Sequence, residues 1–216
     1  MQPSRCPALH AASETVRHRM GLALVEGICA LGRLDYLALG LRNFGKPEGF
    51  LQRQAGRWLA QLEGYAATPE WPGPKTLPCV TRVAEWLTRH TPQHFEPGIM
   101  HGDFHLANVM FRHDSGELAA IVDWELATIG DPLLDLGWLL ATWPDKGGPG
   151  GPEPWSVAVR PWDGFPRAEE LVARYRQLSS RDLSAIDWYA VLACFKLAII
   201  LEGTHVRACA GRRRRM

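Results

Sequence analysis

Apolar residues recur at helical spacing in the first part of the chain. Val16, Met20, Leu24, Ile28 and Leu31 share one face, and Leu51, Ala55, Trp58, Leu62 and Tyr65 form a second stripe, so two amphipathic helices are predicted. Ser13 is placed to cap the first, while Gly45, Pro47 and Gly49 break the chain before the second. A Pro/Gly-rich connection over 69–78 precedes a third predicted helix from Val80 to Arg89. The pattern then changes: Asn108 to Arg112 and Leu118 to Asp123 are short apolar runs around His113-Asp114-Ser115-Gly116, which predicts a hairpin, the one β element the pattern supports. Helix returns over Asp131 to Trp143, with Asp131 as the cap and Pro132 in the first helical position. A Pro/Gly-rich loop is expected over 144–166, then helices over Arg167 to Leu178 and Leu183 to Cys209. The last is apolar nearly all round, which predicts burial. The fold class expected is α+β, mostly α: one lobe over 1–211 with a central hairpin, followed by a basic tail over 212–216.

Composition narrows the class. With 216 residues, 24 basic and 23 acidic side chains and 46% hydrophobic content, the chain is a near-neutral globular sequence, which excludes a disordered tail, a collagen or a coiled coil. Nine Trp and seven Phe supply a core; Trp58, Trp86, Trp124, Trp138, Trp143 and Trp188 fall mostly on apolar stripes and read as core rather than as a ligand platform. Cys6, Cys29, Cys79, Cys194 and Cys209 form no C-x-x-C pair, which fits neither a disulfide framework nor a structural zinc site and points to a cytoplasmic, reducing setting. The N-terminus lacks an apolar signal region, and the most hydrophobic stretch, Val191 to Leu201, is short and interrupted by Lys196, so no membrane span is expected. Arg212 to Arg215 have no companion basic block and read as a solvated tail, so no nucleic-acid partner is expected.

The chemistry concentrates in one segment. His101-x-Asp103-x-x-x-x-Asn108 has the spacing of a kinase-type catalytic loop over 101–108, and the apolar run Ala120-Ile-Val ends in Asp123. The three fixed positions are expected by chance about 0.003 times in a chain of this composition. Phosphoryl transfer requires neutralisation of charge spread over the phosphoryl oxygens while the acceptor hydroxyl is held in line. Asp103 can accept the hydroxyl proton, Asn108 offers a neutral oxygen to Mg²⁺ and Asp123 an anionic one. Glu125 could touch magnesium or an acceptor amine, or be an exposed turn acid. His101, Asp103 and His105 also alternate as zinc ligands do on a strand, although the other histidines show no companion spacing. Asp135 reads either as a helix first-turn acid or as part of the site. Lys196, within the apolar run Ala193 to Leu201, reads as a structural pair candidate before a functional one.

The loop resembles that of the aminoglycoside phosphotransferase family, whose members share the protein-kinase architecture and phosphorylate small molecules. The segments Gly40 to Gln54, Asp123 to Gly137 and Phe195 to Gly203 are similar to the branch related to the kinase-like domain of acyl-CoA dehydrogenase fusion proteins. The resemblance implies a kinase-like C-terminal lobe in which Asp103 is the catalytic base, Asn108 and Asp123 hold Mg²⁺, Asp135 anchors the loop from beneath and His101 packs it. ATP or GTP would be the co-substrate and a small-molecule hydroxyl the acceptor. His105 and Ala107 stand where that branch often has Arg and Asp. No G-x-G-x-x-G occurs, and none of Lys46, Lys75, Lys146 and Lys196 reads as the strand lysine of such enzymes. Gly40-x-x-x-x-Gly45-Lys46 nearly matches a P-loop, but Pro47 removes the hydroxyl and a backbone donor, and a helix-entry turn is expected instead. The N-terminal β lobe is thus expected to be largely absent, with an exposed apolar face where it, or a partner chain, would dock. Two functions follow: a phosphotransferase impaired without that lobe, or a catalytically silent lobe that acts as a binding module.

Overall fold

The computed structural model describes residues 4, 5, 7–68, 71, 73, 77–145, 148 and 159–213. The element order is β1 (Ser4–Arg5), α1 (Ala8–Ala12), α2 (Glu14–Gly32), α3 (Gln54–Gly64), α4 (Val80–Arg89), β2 (Gly98–Met100), β3 (Val109–Phe111), β4 (Leu118–Ile121), β5 (Thr128–Gly130), α5 (Leu133–Thr142), β6 (Val159–Arg160), α6 (Ala168–Leu178) and α7 (Ile186–Arg213). The helices form where the apolar stripes predict them. The Ser13 hydroxyl accepts from the Val16 amide at 3.3 Å and caps α2. Met20, Leu24, Ile28 and Leu31 are buried on one side of α2, and Leu51, Ala55, Trp58 and Leu62 are buried along the approach to α3 and on α3 itself. Asp131 caps α5 through its Oδ1, which accepts from Leu133 N at 3.0 Å, and its Oδ2 accepts from the Tyr189 hydroxyl at 2.6 Å.

The strands arrange as three separate pairs. β3 and β4 make the expected antiparallel hairpin, with Val109 opposite Ile121. Two pairings are absent from the sequence expectation: β2 with β5, antiparallel with Met100 opposite Thr128, and β1 with β6, parallel with Ser4 opposite Val159. Each strand is two or three residues long, too short to establish the alternation by which strands are recognised. The short helix α1 was likewise not expected. Gly40–Lys46 is a series of turns whose Gly45 bridges Ile129, not a strand-to-helix phosphate loop. Of the expected 144–166 loop, residues 146, 147 and 149–158 lie outside the described residues. Helix α7 continues to Arg213, so the expected tail begins inside it, and 214–216 lie outside the described residues.

The Ile186–Ala208 part of α7 is long and apolar enough to cross a membrane on length and composition, a longer run than the Val191–Leu201 stretch noted above. In this fold it is the central core helix, packed against α3, α4 and α5, with Trp188, Tyr189, Leu192, Phe195 and Ile199 buried. Apolar side chains remain exposed in the turns after α2, at Leu34, Leu37, Leu39 and Phe44.

The approach of α5 to α7 depends on Gly137, where an added Cβ would stand 2.7 Å from the backbone oxygen of Tyr189. Backbone cannot yield as a side-chain tip can. Gly137→Ala is expected to cost about 1–3 kcal/mol and to lower Tm by several degrees, read by thermal circular dichroism.

Candidate active site

Two strand pairs present the 101–108 loop. β2 runs into His101, while its partner β5 continues through Asp131-Pro132 into α5, which brings the first turn of α5 under the loop. Asp135 in that turn is fully buried, and its carboxylate accepts from two successive amides, His101 N at 2.6 Å and Gly102 N at 2.8 Å. Burial pushes its carboxyl up to about 6, against the two amide bonds, which favour the ionised form. Gly102 has φ +83°, and a Cβ there would run into the Leu126 carbonyl, so this turn accepts only glycine.

His101 is wholly buried, edge-on to Phe104 and Trp124. Its Nε2 lies 2.9 Å from the Val122 carbonyl and its Nδ1 is 3.3 Å from the Asp103 amide. The carbonyl can only accept and the amide can only donate, so the pair of bonds selects the Nε2–H tautomer. The imidazole thereby joins the loop to the strand end that carries Asp123.

Asp103 is partly buried at the loop's tip. Asn108 Nδ2 donates to its main-chain oxygen at 2.9 Å and to its Oδ2 at 3.0 Å, and His105 Nε2 is 3.5 Å from the same Oδ2. Burial raises the Asp103 carboxyl, but the bond and charge from His105, the Lys196 charge and the Asn108 amide outweigh it and hold the group below the usual range. His105 is also fixed in place, since its Nδ1 accepts from Ala107 N at 3.1 Å at the start of a 3-10 turn over Leu106–Asn108.

Asn108 is buried, and its carbonyl accepts from Val122 N at 2.9 Å, which places it one residue from Asp123 across the hairpin. Asp123 is exposed and takes a left-handed conformation, φ 66° and ψ 61°, that turns the chain out of β4. Glu125 is exposed in the 3-10 turn Trp124–Leu126 that follows. Neither the Asp123 nor the Glu125 side chain has a hydrogen-bond or ion-pair partner among the described residues.

Asn108 Nδ2 faces Asp103, which leaves the Asn108 Oδ1 and the Asp123 carboxylate as oxygen donors at the hairpin's open end. A neutral and an anionic oxygen, with Asp103 as a second carboxylate on the adjoining loop, are the oxygen ligand types that suit a hard divalent cation. They do not suit zinc: both His101 nitrogens are engaged, and no group of three His, Cys, Asp or Glu able to hold a metal occurs among the described residues.

A small cavity of about 120 Å³ adjoins the loop, lined by Met100, Gly102 and Leu126 with Trp58 and Trp138, and among the described residues Arg57 and Lys196 are its charged lining residues. The partner that the sequence demands for Lys196 lies in the site, for Nζ donates to the Gly102 carbonyl at 2.7 Å. Burial pulls its ammonium down to about 8 against the upward pull of Asp103 and Asp135. The sequence signal was present, a single cation inside the apolar run Ala193 to Leu201, but not its destination.

The profile of the phosphotransferase enzyme family matches residues 4–189. Mouse acyl-CoA dehydrogenase family member 10 is 26% identical over 216 residues, which cover 95% of this chain and 19% of that protein. Rat acyl-CoA dehydrogenase family member 11 is 29% identical, covering 94% and 26%. Among solved structures, a candidate aminoglycoside phosphotransferase from Ralstonia eutropha superimposes with a TM-score of 0.76 at 28% identity, covering 92% of this chain and 59% of that one. An aminoglycoside phosphotransferase from Streptomyces rimosus, in complex with ADP and streptomycin, shares the fold with a TM-score of 0.51 at 20% identity, covering 89% and 67%. The chain thus spans about a fifth to a quarter of the length of these curated relatives.

The Asp135 carboxyl titrates higher in the fold than in an unfolded chain. Between about pH 4 and pH 6 the folded state therefore holds the extra proton, and the stability this group contributes is lost as pH rises through about 6. Asp135→Asn removes that dependence. The stability of the parent relative to the variant is expected to fall by on the order of 2 kcal/mol from about pH 4 to pH 7, read by urea unfolding.

Proposed function

The chain belongs to the phosphotransferase enzyme family, and from that premise we propose that it takes part in Mg²⁺-dependent transfer of the γ-phosphoryl group of ATP or GTP to a hydroxyl of a small molecule. The observation that carries the proposal is the Asp103–Asn108 pair, joined at 3.0 Å on a loop whose preceding amides are held by Asp135. The ADP-bound fold relative supports a nucleotide donor.

In this reading Asp103 stays ionised under the influence of His105, Lys196 and Asn108, and its carboxylate accepts the hydrogen bond of the acceptor hydroxyl. As the acceptor oxygen bonds to phosphorus and the bond to the nucleoside diphosphate breaks, the hydroxyl proton passes to Asp103. Asn108 and Asp123 would hold magnesium, which when bound supplies positive charge to the phosphoryl oxygens. Among the described residues the cavity beside the loop carries Arg57 and Lys196 and no lining acid, so the part of the acceptor it admits is apolar or anionic rather than polycationic. The phosphates of the nucleotide would be gripped by a lobe not contained in these 216 residues. The lack of a Gly-rich loop and strand lysine in this sequence favours, as a second reading, a silent lobe that binds an acceptor or partner.

Asp103→Asn is expected to lower kcat by about 10²–10⁴ with nucleotide affinity nearly unchanged, measured by coupled assay and calorimetry. Equal loss of binding would contradict the role. Asn108→Ala and Asp123→Ala should each raise the Mg²⁺ concentration needed for half-maximal rate by about tenfold or more, read in a magnesium titration. In an acceptor screen, neutral and anionic hydroxyl compounds should outperform polycationic ones. Absence of transfer to any acceptor with either nucleotide, in this chain and in one extended by a nucleotide-binding lobe, would leave only the binding reading.

A further inference from the structure

Lys196 is, among the described residues, the one lysine inside the helical core, and its charge effect on Asp103 does not account for its contact with the Gly102 carbonyl. Its Nζ lies 4.0 Å from the centroid of the Trp138 ring and 5.6 Å from that of Trp58, and it donates to the Gly102 carbonyl at 2.7 Å. A methionine would pack against the two rings without the cost of desolvating an ammonium. The cation is therefore explained by what it reaches rather than by what surrounds it.

What it reaches is the peptide that leads into Asp103. The carbonyl of the Gly102–Asp103 peptide accepts from Lys196, and the N–H of the same peptide donates to His101 Nδ1 at 3.3 Å. The preceding N–H, of Gly102, is taken by Asp135. Glycine restricts its own backbone least of all residues, so the orientation of this peptide has to be set from outside. Rotation of that plane would swing the Asp103 carboxylate. The charged groups bearing on the ammonium come from three elements: Arg57 on α3, Asp103 on the loop and Asp135 on α5.

We propose that Lys196 is a positioning residue for phosphoryl transfer: held between Trp58 and Trp138, it clamps the Gly102 carbonyl and thereby aims Asp103. The catalytic consequence rests on the phosphotransferase reading above; the clamp itself does not.

The test compares Lys196→Met and Lys196→Arg with the parent by amide hydrogen exchange and by steady-state kinetics. In Lys196→Met, exchange of the 101–105 amides should rise by about tenfold while the amides of α5 and α7 keep their protection. In the same variant kcat should fall by about ten- to a hundredfold with both KM values within about twofold. Lys196→Arg, which keeps a charged donor, should regain part of both. Lys196→Gln gives the same comparison should Lys196→Met fail to fold. Unchanged exchange in the loop overturns the clamp, and so does an equal rise in α5 and α7, which would make Lys196 an ordinary core contact. A loosened loop with unaltered kcat overturns the positioning role. If neither the parent nor a chain extended by a nucleotide-binding lobe transfers phosphate, the phosphotransferase reading fails while the exchange comparison still decides whether the clamp exists.

Discussion

A single buried carboxylate accepting two successive backbone amides organises this molecule. Asp135 sits where desolvation opposes charge, yet the His101 and Gly102 amides each find their partner on it. Left unpaired in the interior, each amide would carry a penalty of about 1–3 kcal/mol, so the tight turn at Gly102 exists because α5 delivers an acceptor beneath it. The position of α5 is in turn fixed by the Asp131 cap, by the tie from Tyr189 to that cap and by the close passage of Gly137 over α7. Core packing and loop geometry are therefore one problem, solved by the same two helices.

The candidate chemistry is divided between two layers. The helical layer supplies fixed groups from below, Asp135 from α5 and Lys196 from α7, both on Gly102. The strand layer supplies the groups that face outward: Asp103 at the loop's tip, Asn108 before β3 and Asp123 after β4. His101 and the Asn108 carbonyl tie the loop to the end of β4 by bonding the two backbone polar groups of Val122, one at its oxygen and one at its nitrogen. This division keeps the reactive oxygens accessible while the buried amides of His101 and Gly102 are satisfied by Asp135.

The helices were legible because burial imposes a 3.6-residue period, and the spans over α2, α4 and α6 agree with the sequence to within a few residues. The hairpin and the polar loop were legible for a different reason: their turn residues and fixed spacing are local. Strands β2 and β5 were not, since Gly98–Met100 and Thr128–Gly130 are too short to alternate and gain their identity only by pairing with each other. Lys196 shows the same limit. Its oddness is visible in the sequence, but the Gly102 carbonyl is 94 residues away in the chain, and only the packing of α7 against α5 reveals the contact.

Asp123 occupies backbone territory that most side chains avoid, with φ 66° at the mouth of the hairpin. Glycine, asparagine and aspartate enter this region at low cost, whereas β-branched residues do not. The position is therefore constrained twice, first by shape and then by charge. Of the residues that satisfy the bend, aspartate alone brings an anion, so most random replacements here would disturb the hairpin's exit before their effect on any ligand could be felt.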